Sequence, residues 1–175
     1  MGTLDTIRHC RLFDLLTDEE LGKIVPLFQL HHFRKGDYVC REGSWGDSMY
    51  VIDSGEIRVF KKLDVNNTWD ITTLKTGDFF GEVALIDGSP RTATAVTLMN
   101  STVLELLGRD FKSLMTKNDA VSTKLLESLL RVLINRIRAT DEVVAKIMSE
   151  SCSLPHRVQG DMRENFRKLL TGRTG

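Results

Sequence analysis

The sequence lacks a long apolar run and a net charge. No apolar stretch approaches the roughly 20 residues that a membrane helix needs, and residues 1–11 have no apolar segment of the secretory type. Lys plus Arg and Asp plus Glu both number 24, whereas proteins built mainly to grip DNA or anionic membranes usually carry a positive excess. These absences argue against membrane or nucleic-acid binding as the main role, and they predict a cytoplasmic protein.

Cysteine is also scarce, and no group of residues has metal-ligand spacing. Cys10, Cys40 and Cys152 are odd in number and far apart, which predicts reduced thiols in a cytosolic protein. His31 and His32 are neighbours on a predicted strand, so their side chains point to opposite faces. We therefore predict no metal site.

Short apolar runs separated by turn signals occupy residues 27–107. Most of the 13 glycines fall in the same region, where tight turns require them. This spacing predicts an all-β sandwich, jelly roll or barrel. The predicted strands are residues 28–33, 38–40, 49–52, 57–60, 69–74, 92–98 and 103–107.

Helical patterns flank the strands. Thr17 and Glu20 are placed as a capping box for a short helix that Pro26 limits. After the strands, residues 111–115 are predicted to form a short helix, and a long one is predicted to follow, with no Gly or Pro over 125–148. Its apolar residues are spaced in steps of four and three, which is typical of a heptad seam. The seam residues are Leu126, Leu130, Leu133, Ile137, Thr140, Val144 and Ile147.

One segment interrupts the strand pattern and carries the candidate site. A helical turn beginning near Gly81 would point free N–H groups at a ligand, and glycine permits close approach. The guanidinium of Arg91 opposite these amides would make an anion site suited to phosphate. Glu82 beside an anion makes sense if it accepts hydrogen bonds from an adjacent hydroxyl, such as that of a sugar. The combination suggests a nucleotide, although Arg91 in a surface salt bridge, or Glu82 paired with an arginine in an empty pocket, is the plainer interpretation.

Residues 80–85, Phe-Gly-Glu-Val-Ala-Leu, and 90–94, Pro-Arg-Thr-Ala-Thr, resemble the phosphate-binding cassette of cyclic nucleotide-binding domains. The resemblance extends to the glycine-punctuated strands around Gly36, Gly43, Gly46 and Gly55, and it covers most of the chain. It implies a mainly β fold with flanking helices. The expected architecture is an eight-stranded antiparallel β-roll or jelly roll with an inserted cassette, short N-terminal helices and a long C-terminal helix.

The resemblance also implies ligand contacts for a cyclic nucleotide, cAMP or cGMP. Arg91 would pair with the cyclic phosphate, and the backbone N–H groups of Ala84 and Thr92 would complete the phosphate shell. Glu82 would accept a hydrogen bond from the ribose 2′-hydroxyl, and Gly81 would also lie against the ribose.

Other residues are implied in base contact and signalling. Val83 would be the apolar relay that senses occupancy, and Leu74 would lie against the purine. Thr140 and Asp141 resemble a Thr-Ser pair that touches the base in the long helix of catabolite activator proteins. Asp141 departs from that Ser and would suit guanine, so cAMP and cGMP both stay open. Thr140 as a register-setting seam residue and Asp141 as a solvated charge are the competing interpretations.

The seam has two interpretations as well. It packs against the strands of its own chain, or it pairs with a second copy, and its regular phase favours a homodimer through the helix from Leu126 to Ile147. We predict a cyclic nucleotide-binding domain over residues 1–150 and a polar basic tail over 151–175. The tail is a solvated face or a contact with a partner or nucleic acid; its basic residues are Arg157, Arg163, Arg167, Lys168 and Arg173.

The predicted function is a stand-alone cyclic nucleotide sensor that acts on an effector not identifiable from sequence. Too few residues follow Glu150 for the helix-turn-helix domain of catabolite activators. No enzyme is predicted, because a metal oxygenase or a phosphodiesterase would need ligands or a base that the sequence does not offer. The alternative is a dimeric scaffold or adaptor that keeps the roll and binds no nucleotide.

Overall fold

The computed structural model describes residues 2–65, 67–117 and 119–150. Two short helices come first, α1 (Thr3–Arg8) and α2 (Asp18–Ile24). Thr17 N–H donates to Glu20 Oε2 at 2.8 Å, and Glu20 N–H donates to Thr17 Oγ1 at 3.3 Å. The predicted capping box is thus confirmed, and α2 ends before a single 3₁₀ turn that contains Pro26.

Within the described residues, eight strands form two antiparallel four-stranded sheets, in the orders β1-β8-β3-β6 and β2-β7-β4-β5. This confirms the predicted mainly β fold and is consistent with a jelly roll. The prediction missed β6, which has only two residues, and it made β7 too long. The strands are β1 (Phe28–Phe33), β2 (Tyr38–Cys40), β3 (Ser48–Ser54), β4 (Glu56–Lys62), β5 (Thr68–Lys75), β6 (Phe79–Phe80), β7 (Thr94–Thr97) and β8 (Ser101–Leu107).

The facing sides of the two sheets enclose the core of the roll. Apolar side chains from both sheets meet there, and they are Ile52, Ile57, Phe80, Ala95 and Val103. Side chains alternate along a strand, so the neighbours of these residues point to the other face of their sheet. On the first sheet that other face is also buried, at Met49, Val51, Leu104 and Leu106, and α1 contacts β3 there.

Three further helices complete the described structure. Helix α3 (Glu82–Asp87) is inserted between β6 and β7, and α4 (Gly108–Thr116) and α5 (Ala120–Glu150) follow β8. Helix α4 is longer than the predicted residues 111–115. None of the helices in the described ranges has the length and apolar content to cross a bilayer.

Backbone contacts divide the chain into two units, one up to Val132 and one that begins at Leu133. The first unit includes the start of α5, where Val121, Leu125 and Leu129 are buried and Leu126 and Leu130 are each 50% exposed. The interpretation in which the seam packs on its own strands is therefore wrong for Leu126 and Leu130. The buried stripe lies one residue earlier.

Of the second unit, residues 133–150 are described, all of them in α5. Ile137 and Ile147 are exposed there, and Val144 is partly buried. The predicted domain division at residue 150 stays a prediction, because the basic tail 151–175, with Cys152, lies outside the described residues.

Candidate functional site

The inserted helix α3 is held between two glycines in the left-handed region. Gly81 has φ of 86° and stands directly before α3, and Gly88 has φ of 68° and ends it. A Cβ at Gly81 would lie 3.0 Å from the carbonyl oxygen of Ser48, so the backbone of the cassette lies directly against β3. The helical turn predicted from the sequence is therefore present as a six-residue helix.

Arg91 is the central buried cation of this site, with only 5% of its surface exposed. Its Nη1 donates to Ser48 O at 2.6 Å and to Gly81 O at 3.2 Å, and its Nη2 donates to Ser48 Oγ at 3.1 Å. All three acceptors are uncharged oxygens. The interpretation of Arg91 as a surface ion pair is thus wrong.

Two glycines give the guanidinium its space. A Cβ at Gly46 would lie 2.8 Å from Arg91 Nε, and a Cβ at Gly81 would lie 2.5 Å from Arg91 Nη1. The ring of Tyr50 lies nearby, with its centroid 5.5 Å from Arg91 Cζ. The guanidinium is therefore confined by backbone and by hydrogen bonds.

The structure brings several other predicted site residues to this cassette. Glu82 is the first residue of α3 and is 2% exposed. Ala84 is buried, Thr92 is exposed, and Val83 is 37% exposed. The amides of the first residues of a helix lack partners within it, and Ala84 is the third residue of α3. The individual contacts of these residues with a nucleotide stay predictions.

The three residues predicted to contact the base lie outside the cassette. Leu74 on β5 pairs with Ile57 in register and packs against the core of the roll. Thr140 and Asp141 belong to the second unit, where both are exposed, and the Thr140 hydroxyl donates to Arg136 O at 2.9 Å. Contact of these three residues with a base stays a prediction.

Two cysteines and two histidines of the described residues have contacts that bear on the prediction of no metal site. Burial raises the pKa of Cys10 to about 12, and burial also raises the pKa of Cys40. His31 Nε2 lies 2.8 Å from Glu105 Oε2, and His32 Nδ1 lies 3.1 Å from Thr102 Oγ1. In the described part of the chain, no group of three or more His, Cys, Asp or Glu residues is arranged to hold a metal ion.

The sequence reasoning assigned no role to Ser48, Gly46 or Tyr50. Ser48 supplies two acceptors to Arg91 from 43 residues away, and no local pattern indicates such a pairing. Gly46-Asp47 and the run from Met49 to Ile52, which contains Tyr50, belong to the strands that resemble the family, and they carry no sign of a contact with Arg91.

Comparisons with known proteins agree with this geometry. Residues 30–118 match the model of the cyclic nucleotide-binding domain, and the chain belongs to this family. It is 35% identical over 116 residues to the cGMP-dependent protein kinase, isozyme 1, of Drosophila melanogaster, covering 65% of this chain and 15% of that protein. It is 31% identical over 105 residues to the cAMP-dependent protein kinase regulatory subunit of Debaryomyces hansenii, covering 60% and 22%.

A solved structure gives the same result for the fold. The Thermus thermophilus catabolite activator protein superposes with a TM-score of 0.72 at 26% identity, covering 78% of this chain and 62% of that one. The family predicted from the cassette is thus confirmed. The matches span less than a quarter of the two kinase-related proteins, so the similarity concerns a binding domain and not a kinase domain.

Proposed function

We propose that this chain is a cyclic nucleotide sensor that binds cAMP or cGMP in its roll and passes the bound state to its long helix. The observation that carries the proposal is the burial of Arg91. Removing a cation from water is costly unless partners compensate for the lost hydration. Uncharged oxygens compensate in part, and a cyclic phosphate would supply the opposite charge.

The remaining contacts follow from the cassette. A guanidinium carries five N–H donors, so three hydrogen bonds to protein leave capacity for phosphate oxygens. The amides of Ala84 and Thr92 would add to the phosphate shell. Glu82 would accept from the ribose 2′-hydroxyl, and Gly81 would let the sugar approach the backbone.

Base recognition is proposed to involve Leu74 from the roll and Thr140 and Asp141 from the long helix. An Asp side chain can accept hydrogen bonds from guanine N1 and N2. Relatives named for dependence on cGMP and on cAMP both match this chain, so the two nucleotides are to be compared directly.

We propose that ligand binding is signalled to the rest of the protein through Val83 and α5. Ligand binding would draw α3 inward, and Val83, which is exposed, would change its surroundings as it does so. A shift of this kind follows only if the ligand binds one state more tightly than the other. We propose a homodimer through the helix from Leu126 to Ile147, an effector protein outside this chain, and a cytoplasmic site of action.

We propose binding without catalysis. A phosphodiesterase would need a metal cluster or a base in line with the phosphate, and Glu82 alone supplies neither. Cyclic nucleotide recovered unhydrolysed after long incubation would support this; conversion to the linear monophosphate would contradict it.

The test is calorimetric titration of the wild type and Arg91→Ala with cAMP and with cGMP. Losing the charge-assisted hydrogen bonds of Arg91 should weaken binding at least about tenfold. Arg109→Ala is the matched control, because Arg109 is a surface arginine whose side chain is 75% exposed; it should bind like the wild type. Circular dichroism checks that the fold is intact.

Two results would contradict the proposal. Unchanged affinity in Arg91→Ala would refute the site assignment. A wild-type melting temperature that neither nucleotide raises would favour the scaffold alternative, since a ligand that binds only the folded state must stabilise it.

A further inference from the structure

A chain of polar side chains leads from Arg91 across the first sheet. Arg91 Nη2 donates to Ser48 Oγ at 3.1 Å, and the Ser48 hydroxyl donates to Tyr50 Oη at 3.1 Å. Glu105 lies directly opposite Tyr50 in the register of β3 and β8. At the far end, His31 Nε2 lies 2.8 Å from Glu105 Oε2.

Strand geometry places these residues together. Ser48 and Tyr50 are two positions apart on β3, so their side chains point to the same face. That face is the interior of the roll, because Tyr50 packs against the core and stacks on Phe80 at a centroid distance of 5.2 Å. Directly opposed residues of an antiparallel pair have neighbouring side chains, so the side chain of Glu105 lies beside that of Tyr50. Its side chain is only 16% exposed.

The hydrogen bonds that link these side chains can be donated in only one direction. Arginine donates and never accepts, whereas a hydroxyl has a single proton to donate. Ser48, accepting from Arg91, passes its proton toward Tyr50, and Tyr50 can then donate to the Glu105 carboxylate. Burial raises the pKa of Tyr50 and the Glu105 carboxylate adds to the rise, so the phenol keeps the proton that it donates.

We propose that Glu105 is a positioning residue of the phosphate site, acting on Arg91 through Tyr50 and Ser48. The inference rests on the proposed function, and it adds a residue that lies outside the cassette. Glu105 fixes the direction of the Tyr50 hydroxyl, which fixes that of Ser48 and keeps a lone pair of Ser48 Oγ facing Arg91. Without the carboxylate, the Ser48 hydroxyl is free to turn its own proton toward the guanidinium.

This arrangement has an electrostatic advantage. A carboxylate in direct contact with a guanidinium competes with an incoming phosphate for the same donors. Glu105 instead acts through two hydroxyls, and hydrogen bonds in such a chain polarise one another. Its negative charge thus helps to hold Arg91 in place without occupying a guanidinium donor itself.

The test uses two variants of the full chain that preserve shape. Tyr50→Phe keeps the ring stacked on Phe80 and removes the hydroxyl, and Glu105→Gln removes the charge. Each should weaken binding of cAMP or cGMP about three- to tenfold, the loss expected for one hydrogen bond. The matched controls are Tyr38→Phe and Glu56→Gln, which alter exposed or partly exposed side chains on the other sheet and should bind like the wild type.

Two readouts separate positioning from a general loss of packing. In an Arg91→Ala background, Tyr50→Phe should weaken binding no further, because the two changes act through one group. In the unliganded protein, ¹⁵N-edited NMR should show the Arg91 Nε–H resonance shifted by Tyr50→Phe and by Glu105→Gln and unmoved by the two controls.

The results that would overturn the positioning role of Glu105 differ from those that would overturn the proposed function. If Arg91→Ala weakens binding while Tyr50→Phe and Glu105→Gln bind like the wild type, the positioning role is overturned and the sensor function stands. The positioning role is also overturned if the affinity loss of Tyr50→Phe adds fully to that of Arg91→Ala, or if the Arg91 Nε–H resonance does not move in Tyr50→Phe and Glu105→Gln. A wild type that binds neither nucleotide overturns both proposals.

Discussion

Gly46→Ala is the change that most directly tests how Arg91 is held. The added Cβ would lie 2.8 Å from Arg91 Nε, 2.9 Å from Nη2 and 3.1 Å from Cζ. Gly46 is not among the glycines with positive φ, so alanine brings no backbone strain of its own. The substitution therefore acts on the guanidinium and leaves the backbone undisturbed.

The size of the effect follows from these distances. Non-bonded heavy atoms rest about 3.5–4.0 Å apart, so the guanidinium must move by about 0.5 Å or more. The hydrogen bonds that Nη1 donates to Ser48 O and Gly81 O restrict its retreat on the other side. The longer hydrogen bonds, at 3.1 and 3.2 Å, are the first to break. Hydrogen bonds to charged groups contribute about 1.5–3 kcal/mol each, so the loss of one of these two bonds is expected to raise the Kd about 10- to 150-fold.

The assay pairs calorimetric titration with thermal unfolding. Gly46→Ala should lose affinity for cAMP and cGMP and still fold, with a melting temperature lower by about 3–10 °C for the lost hydrogen bond, because a side chain gives way and not the backbone. Gly22→Ala is the control, since a Cβ at Gly22 meets nothing within 4 Å. Affinity within about twofold of the wild type in Gly46→Ala would refute the view that confinement of Arg91 determines binding.

Two further predictions concern the helices. Lys124 Nζ lies 2.9 and 2.8 Å from the two carboxylate oxygens of Glu20, and this contact lowers the pKa of Glu20 from its ordinary 4.5. The resulting stabilisation is present above that value and is lost as the pH falls through the lowered pKa. Lys124→Met should thus melt at a lower temperature than the wild type at neutral pH, and the gap should narrow in acid; a gap independent of pH would contradict this. Replacing Leu126 and Leu130 together by Gln should convert a dimer to monomers in analytical ultracentrifugation with the fold retained, and a monomeric wild type would contradict the proposed seam.

The sequence predicted the fold well where structure depends on local pattern. The bounds of β1 and β2 match the predicted runs, and the box of Thr17 and Glu20 opens α2, because alternation and capping are local properties. It missed β6, since two residues carry no period. Strand β6 forms because Phe79 and Phe80 find partners on β3, and a partner distant in sequence leaves no signal in a short window.

The same limit applies to the candidate site. Arg91, Gly81 and Glu82 could be grouped because they lie within eleven positions of sequence. The contacts that confine Arg91 come from Gly46 and Ser48, on a segment that only folding brings near. In α5, periodicity revealed the apolar stripe through Leu126, but a helix can carry two such stripes, and periodicity does not say which one is buried.

The contacts between helices define a route from the site to α5 inside the unit that ends at Val132. Helix α3 contacts α4, and α4 leads through a short connection to the buried start of α5. A ligand that moves α3 therefore acts on α4 before α5. The Lys124–Glu20 ion pair joins this start of α5 to the capping box of α2, so α5 cannot shift there without carrying α2 along or breaking the pair. Lys124→Met would uncouple the two helices, and it should consequently change the ligand affinity as well as the melting temperature if α5 moves on binding.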